Sequence, residues 1–530
     1  MQTLHSTPTS IAQVLPQKHL QSYYTTSLPI VQYMASMLDV QPDMRILEPS
    51  AGKGALIDAI IERYTDTHFQ IDAFDIDHEA VAYLQERYCE NAQITIAKRD
   101  VLIDTELHWY ASTNGVYDRI IANPPFGAWQ SPERRKHLKN LFSDFYVKET
   151  YSLFLILALR LLRESGKMVF IVPDTFLSLT MHTALRAALL KESRIIEIVL
   201  FPSSFFPSIS FGYANLCIIT AEKCNDKQAC LSNSMHIIQG LHSVQDLSTL
   251  AKADRLYPQH IMKLEATQQE FYDTKGHRFF CTQDVKVYQY FQSSRQMLVS
   301  DVADCVTGFY SGNDKLFLRR SSENPKGNRY DILEKEMIVG EEEQKQELER
   351  YGSLLNGFAG ERRFLPFVKG GNMRYHKPDW WFMNWSKEAV TEYRISKKSR
   401  LQNTSYYFRE GIAVPMVSSS SITASLLRKR LFDQSIVGVF LRDSNSEMLM
   451  YLLAFFNSPV CNTLIRSVNR TANNSANYIK QIPLIIPSDT VLSDIAATVQ
   501  DIIDEISTSG NYNQAKENHI HRYISELYDI

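Results

Sequence analysis

Short apolar runs recur through residue 222, and most are followed by apolar residues three or four positions apart. Runs at Arg45–Leu47, Phe69–Phe74, Ile94–Ala97, Arg119–Ala122, Met168–Val172, Ile195–Leu200 and Ala214–Thr220 are short, rich in Ile and Val, and bounded by turn residues, which predicts buried strands. Between them, Ile30/Met34/Met37/Leu38, Ile57/Ile60/Ile61, His78–Tyr88, Tyr151–Glu164 and Leu185/Leu189 repeat with helical spacing. Thr26 or Ser27 is placed to cap the first helix, with Pro29 in its first turn. Strands alternating with helices predict an α/β fold with a doubly wound, mostly parallel sheet.

From about residue 223 the alternation stops. Residues 223–295 read as a polar connection with some helix over Leu241–Leu256, and 296–530 as a second domain. In the latter, Glu334–Arg350 predicts a solvated helix, and Asp489–Ile506 and Gln514–Tyr528 predict amphipathic helices. A chain of 530 residues is too long for one core, so at least two domains are expected. Hydrophobic residues make up 44% and charged residues 22%, ordinary values for a globular protein. No basic-then-apolar leader is present, and the longest apolar run, Leu153–Leu162, is interrupted by Arg160 and too short to span a bilayer. The seven cysteines include no Cys-x-x-Cys pair, which argues against zinc sites and disulfide staples. The expectation is a cytoplasmic protein with no membrane partner and no metal. A net charge of −3 means that any nucleic-acid surface must be a local patch.

The candidate chemistry centres on Asn123-Pro124-Pro125-Phe126, directly after a predicted strand. Two prolines fix φ twice and remove two donors, so the chain must leave the sheet rigid and extended. The Asn123 amide oxygen and the Pro124 carbonyl are two acceptors suited to an NH2 group, and Phe126 offers a face for a ring. Upstream, Glu48-Pro49-Ser50-Ala51-Gly52-Lys53-Gly54 runs from strand to loop to helix. Gly52 and Gly54 permit close backbone approach, and Glu48 disfavours a pyrophosphate while suiting an ammonium or sulfonium. Asp75 ends the next strand about twenty residues on, the spacing of a ribose-binding acid. Asp77 reads instead as a helix cap. Asp100, followed by Val101, ends the third strand, where an acid can accept from an adenine amine or simply close a turn. Phe205 and Phe206 sit in an aromatic loop that either plugs the core or walls a slot. Arg134 and Arg135 follow the Asn-Pro-Pro-Phe loop and suit a phosphate contact. In the second domain Lys369, Arg374, Lys377 and Arg409 lie among aromatic and hydroxyl residues, where basic side chains outnumber acidic ones. Such composition suits a DNA-tracking groove, although any single Trp there is better read as core.

In this order the motifs of residues 24–222 resemble the gamma-class N6-adenine DNA methyltransferases of restriction-modification and phage-exclusion systems. The resemblance implies a Rossmann-like methyltransferase sheet closed by an antiparallel strand, followed by an α+β target-recognition domain. It implies S-adenosylmethionine as cofactor, held by Thr26, Glu48, Pro49, Gly52, Gly54, Asp75, Asp100 and Val101. It implies catalysis by Asn123, Pro124, Pro125 and Phe126, with Phe206 as the far stacking aromatic and Phe205 as the register alternative. Duplex DNA is the implied partner, possibly with a restriction or defence subunit. Phe126 replaces the commoner Tyr, which loses a hydroxyl and keeps the ring. The alternatives are an amino-group methyltransferase acting on ribosomal RNA or a protein glutamine, and a non-catalytic DNA specificity subunit. No nuclease pattern accompanies the motifs.

Overall fold

A computed structural model describes residues 27–126, 130–206, 215–252, 257–280, 285–292, 297–371, 373–418, 421–469 and 473–530. The chain divides into two compact units, Met1–Phe279 and Phe280–Ile530.

The first unit is built on one nine-stranded sheet: β1 Met44–Glu48, β2 Phe69–Asp75, β3 Ile94–Lys98, β4 Tyr117–Ala122, β5 Leu162–Pro173, β6 Ser193–Pro202, β7 Asn215–Lys223, β8 Ser234–Gln239 and β9 Met262–Thr267. Their order is β3-β2-β1-β4-β5-β7-β6-β8-β9. β7 runs antiparallel to both β5 and β6, β9 runs antiparallel to β8, and the remaining pairings are parallel. Seven of the strands lie where the apolar runs predict them. The strands are flanked by α1 Leu28–Leu38, α2 Ala55–Arg63, α3 His78–Arg87, α4 Thr105–Ser112, α5 Pro132–Phe142, α6 Tyr151–Leu161 and α7 Thr183–Glu192. Ser27 occupies the cap position of α1, and its carbonyl receives the Ile30 and Val31 amides. Asp77 caps α3 by accepting from the Glu79 amide at 3.0 Å, the role its position suggests.

The sheet does not stop at residue 222. The expected connection contributes β8 and β9, with Met235, Ile237 and Ile238 fully buried. β9 is the edge strand, Met-Lys-Leu-Glu-Ala-Thr, and much of it faces solvent, which is why its sequence reads as polar. Of the helix expected over Leu241–Leu256, Gln245–Leu250 is present, and residues 253–256 lie outside the described residues.

The second unit holds two four-stranded sheets. One has the order β10-β17-β14-β15 (Ala303–Thr307, Ile436–Leu441, Ile412–Pro415, Ser425–Leu426), and the other β11-β13-β12-β16 (Leu318–Arg320, Trp381–Asn384, Phe364–Val368, Leu431–Phe432). Phe309, Trp385, Tyr393, Tyr407 and Phe432 belong to its aromatic core, and the Trp385 indole donates to the Leu354 carbonyl at 2.8 Å. The expected C-terminal helices are present as Asp489–Ser509 and Gln514–Tyr528. They pack on an apolar helical pair, Ser446–Asn457 and Pro459–Val468, that the sequence reading did not single out. Asn457-Ser458-Pro459 is the joint of that pair. The Asn457 side chain exchanges two hydrogen bonds with the Ala424 backbone at 2.9 Å, and Ser458 caps the second helix. Among the described residues no single helix is long and apolar enough to cross a membrane.

Gly54 caps α2 at φ +81°, and a Cβ there would lie 2.7 Å from the Tyr88 hydroxyl. That hydroxyl is itself held by Asp58 at 2.6 Å. Gly54→Ala combines left-handed strain with this clash. It is expected to destabilise the first unit by roughly 1–3 kcal/mol, read as a lowered calorimetric transition. An unchanged transition would show that the loop relaxes freely.

Candidate active site

β1, β2, β3 and β4 are parallel, so their C-terminal ends share one edge of the sheet. Chain progression splits there: β2 and β3 lie on one side of β1, and β4 on the other. Such a switch point opens a crevice outside the strand ends, the usual ligand position in open α/β sheets. The Ser50 hydroxyl spans it, donating to the Asn123 carbonyl at 3.2 Å.

On the β1 side, the chain turns through Ala51–Gly54. The Gly52 amide, at φ +55°, donates to the Asp75 carboxylate at 2.8 Å. The other Asp75 oxygen accepts from the Asp77 amide at 2.9 Å. Asp75 therefore ties the glycine loop to the end of β2. Burial pushes its pKa up, and the backbone donors oppose that shift. Glu48 is 2% exposed, and its Oε2 has no hydrogen-bond partner among the described residues. Complete burial, with the Asp75 and Asp58 charges adding to it, holds this carboxyl well above the ordinary carboxylate range. An orphaned acid beside a loop of close-approach glycines fits the cationic end of a ligand. Ile76, next to Asp75, is 45% exposed although apolar. The sequence reading missed it; its signal is an apolar residue between two strand-end acids. It offers a surface for a flat ring.

Asp100 lies past the end of β3, with Val101 buried behind it. Arg134 forms an ion pair with the Asp100 carboxylate. Arg134, expected at a phosphate, is thus placed against this acid. Ser131 caps α5, receiving the Arg134 amide at 3.2 Å, so Arg134 falls in the first helical turn and reaches Asp100 rather than solvent. Arg135, on the same helix, is exposed.

On the β4 side, Asn123 is half-buried, Pro124 buried and Phe126 5% exposed. The Thr150 hydroxyl donates to the Pro125 carbonyl at 2.7 Å. The Phe126 ring meets Tyr151 edge to face at 6.5 Å. The Asn-Pro-Pro-Phe loop is thus held from both flanks. Phe206, 2% exposed, follows the turn Ser203–Phe205 at the end of β6. Phe205 stacks on Phe201 at 5.7 Å, which occupies the register alternative. Thr26 lies outside the described residues.

In the second unit, three of the four cations proposed for DNA have internal partners. Lys369 pairs with Asp314 and, at 3.5 Å, with Asp433. Arg374 bonds the fully buried Glu517 at 2.9 Å. Lys377, 4% exposed, donates to the Lys369 carbonyl at 2.9 Å, and burial with the nearby Arg430 guanidinium pushes its pKa down to about 8. The acids that neutralise Lys369 and Arg374 are remote in sequence, so the local excess of basic residues does not tell which of them carry a free charge. Arg409 alone of the four is exposed, its guanidinium lying over the Tyr406 ring at 5.2 Å.

An open sheet with this reversed seventh strand, acids ending β1 and β2 and Asn-Pro-Pro-Phe ending β4, is the mostly parallel, doubly wound sheet closed by an antiparallel strand that the resemblance implies. Residues 34–206 match the model of the Eco57I restriction-modification methylase family. The chain is 29% identical over 189 residues to the Type II methyltransferase M.HincII of Haemophilus influenzae, covering 34% of this chain and 33% of the relative. It is 23% identical over 414 residues to the adenine-specific methyltransferase BrxX of Escherichia coli O9:H4 (strain HS), covering 76% and 30%. It spans about a third of the length of these curated relatives. Among solved structures, a nuclease-deletion mutant of the Type ISP restriction-modification enzyme LlaGI in complex with a DNA substrate mimic is similar at TM-score 0.54 and 13% identity, covering 92% of this chain and 55% of that one. The DrdV–DNA complex is similar at TM-score 0.51 and 12% identity, covering 92% and 57%. These two likenesses bear on fold alone.

Arg374→Ala is expected to destabilise the second unit, because it leaves Glu517 buried without its cation. Tyr512 and Gln514 still donate to Glu517, so the loss should fall toward the low end of the roughly 3–5 kcal/mol seen on breaking buried pairs. Thermal unfolding reads it. A stable variant with weakened DNA binding would return Arg374 to the surface role.

Proposed function

We propose that this protein is a site-specific DNA methyltransferase that transfers a methyl group from S-adenosylmethionine to N6 of a flipped-out adenine. The observation that carries the reading is the pairing, across one crevice, of an orphaned buried acid at Glu48 with a proline-stiffened pair of acceptors at Asn123 and Pro124. The family of the first unit and the adenine-specific relative support the choice of base.

Glu48 would face the cationic end of the cofactor, Asp75 its ribose hydroxyls, Ile76 and Val101 its ring, and Asp100 its adenine amine, while Gly52 and Gly54 let the backbone approach. When bound, the cofactor supplies an electrophilic sulfonium methyl and departs as a neutral thioether. The amino lone pair of adenine is delocalised into its ring and is a weak nucleophile. The Asn123 amide oxygen and the Pro124 carbonyl accept its two N–H bonds, favour a tetrahedral nitrogen and stabilise the positive charge that develops there as the new N–C bond forms. One N–H proton then leaves to water. The prolines keep both acceptors fixed in near-attack geometry. An adenine within a duplex cannot reach the loop, so it must leave the stack, with Phe126 and Phe206 as its aromatic walls. Of the six cations named for phosphates, Arg135 and Arg409 are exposed. Duplex DNA is the proposed partner, in the cytoplasm, and relatives from restriction-modification and DNA-bound enzymes make a restriction or defence subunit a reasonable second one.

Incubating the full chain with methyl-labelled donor and diverse duplexes should put label on adenine N6. Asn123→Ala should bind the cofactor as the wild type does and lose roughly 10²–10³-fold in transfer rate. Label on another base, or full activity in the variant, would overturn the assignment.

Glu48 provides a linkage test. Its carboxyl has a raised pKa in the free protein, and a cation beside it favours the ionised form. Cofactor binding should therefore release protons, and affinity should rise with pH. Calorimetry in buffers of different ionisation enthalpy measures the release, which Glu48→Gln should abolish. A wild type that releases none would move the cationic end away from Glu48.

A further inference from the structure

We infer that His182 is a positioning residue for the proposed transfer, fixing the aromatic wall of the target base through Tyr151 and the start of α6. The inference rests on the reading of the Asn-Pro-Pro-Phe loop as catalytic. His182 ends the short turn Thr180–His182 between β5 and α7 and is 1% exposed. Nothing in the motif pattern draws attention to it.

Its two ring nitrogens meet three side chains from one stretch of chain. Nδ1 lies 3.0 Å from the Ser152 hydroxyl. Nε2 lies 3.1 Å from a Glu149 carboxylate oxygen and 3.2 Å from the Tyr151 hydroxyl. One neutral tautomer, assigned from the partners' chemistry, suits the set: Nε2–H donates to Glu149 and Nδ1 accepts from Ser152. The Tyr151 hydroxyl also reaches Thr175 at 2.9 Å. Thr150, the remaining residue of the stretch, donates to the Pro125 carbonyl, and the Tyr151 ring abuts Phe126. Four consecutive residues thus stand between one buried imidazole and the catalytic loop. Thr150, Tyr151, Ser152 and His182 are each 2% exposed or less.

A satisfied polar cluster of this kind specifies one arrangement, because any shift leaves buried groups unpaired. Tyr151 is held at its hydroxyl and presents its ring to Phe126, so the position of the Phe126 wall is inherited from His182. None of these contacts involves Glu48, Asp75 or Asp100. Loss of His182 should therefore act on the target base and not on the cofactor.

The test uses the full chain, a duplex containing the site methylated by the wild type, and the variants His182→Ala, His182→Gln and Ser152→Ala. The expected result is unchanged cofactor affinity by calorimetry, with single-turnover transfer about 10–100-fold slower in His182→Ala. Fluorescence of 2-aminopurine at the target position should fall in parallel. His182→Gln, which keeps a donor toward Glu149, should recover most of the rate. Ser152→Ala removes a single hydrogen bond and keeps the measurement possible if His182→Ala does not fold. Variants that transfer at the wild-type rate, or that lose cofactor affinity in step with rate, would overturn the role of His182. A wild type that transfers no methyl to adenine would instead overturn the reading of the loop, and the positioning role with it.

Discussion

The structure depends on a single constraint at the switch point of the first unit: two loops leaving neighbouring parallel strands must stay apart yet in register. The Asp75 carboxylate holds one by accepting the Gly52 amide, and the Thr150 hydroxyl holds the other at the Pro125 carbonyl. Ser50 links them by its bond to the Asn123 carbonyl. Each contact uses a backbone group that would otherwise be left over where a strand ends. Satisfying those groups positions the candidate site, so the same bonds stabilise the fold and preorganise the crevice.

The electrostatics of the crevice follow from burial. Glu48 and Asp75 stand close together in a poorly solvated place, and both carboxyls are pushed above their ordinary range. Such acids are costly unless something positive arrives. Asp100 differs, because Arg134 already supplies its countercharge. The helix carrying that arginine, α5, begins at Pro132, shortly after the Asn-Pro-Pro-Phe loop.

In the second unit, local composition does not tell which cations are paired inside the fold. Lys369 and Arg374 sit in a basic stretch, yet they neutralise Asp314, Asp433 and Glu517, and Arg430 pairs with Asp379 at 2.7 Å. The tryptophan expectation fared differently: Trp385 is core, as a single Trp there is best read. The apolar helix Ser446–Asn457 escaped notice because it is buried on nearly every side and so lacks the polar face that marks an amphipathic helix.

The sequence by itself determined the alternation of strands and helices, the loops at Glu48–Gly54 and Asn123–Phe126, and the cap at Asp77. These rest on local physics: apolar period, proline φ, glycine freedom and side-chain capping act within a few residues. Tertiary structure alone decided that β8 and β9 join the sheet, that Arg134 turns to Asp100, and that His182 stands behind the Asn-Pro-Pro-Phe loop. Partners brought together from distant parts of the chain settle those matters, because the pairing of a buried charge or polar group depends on what folding places beside it and not on its neighbours in sequence.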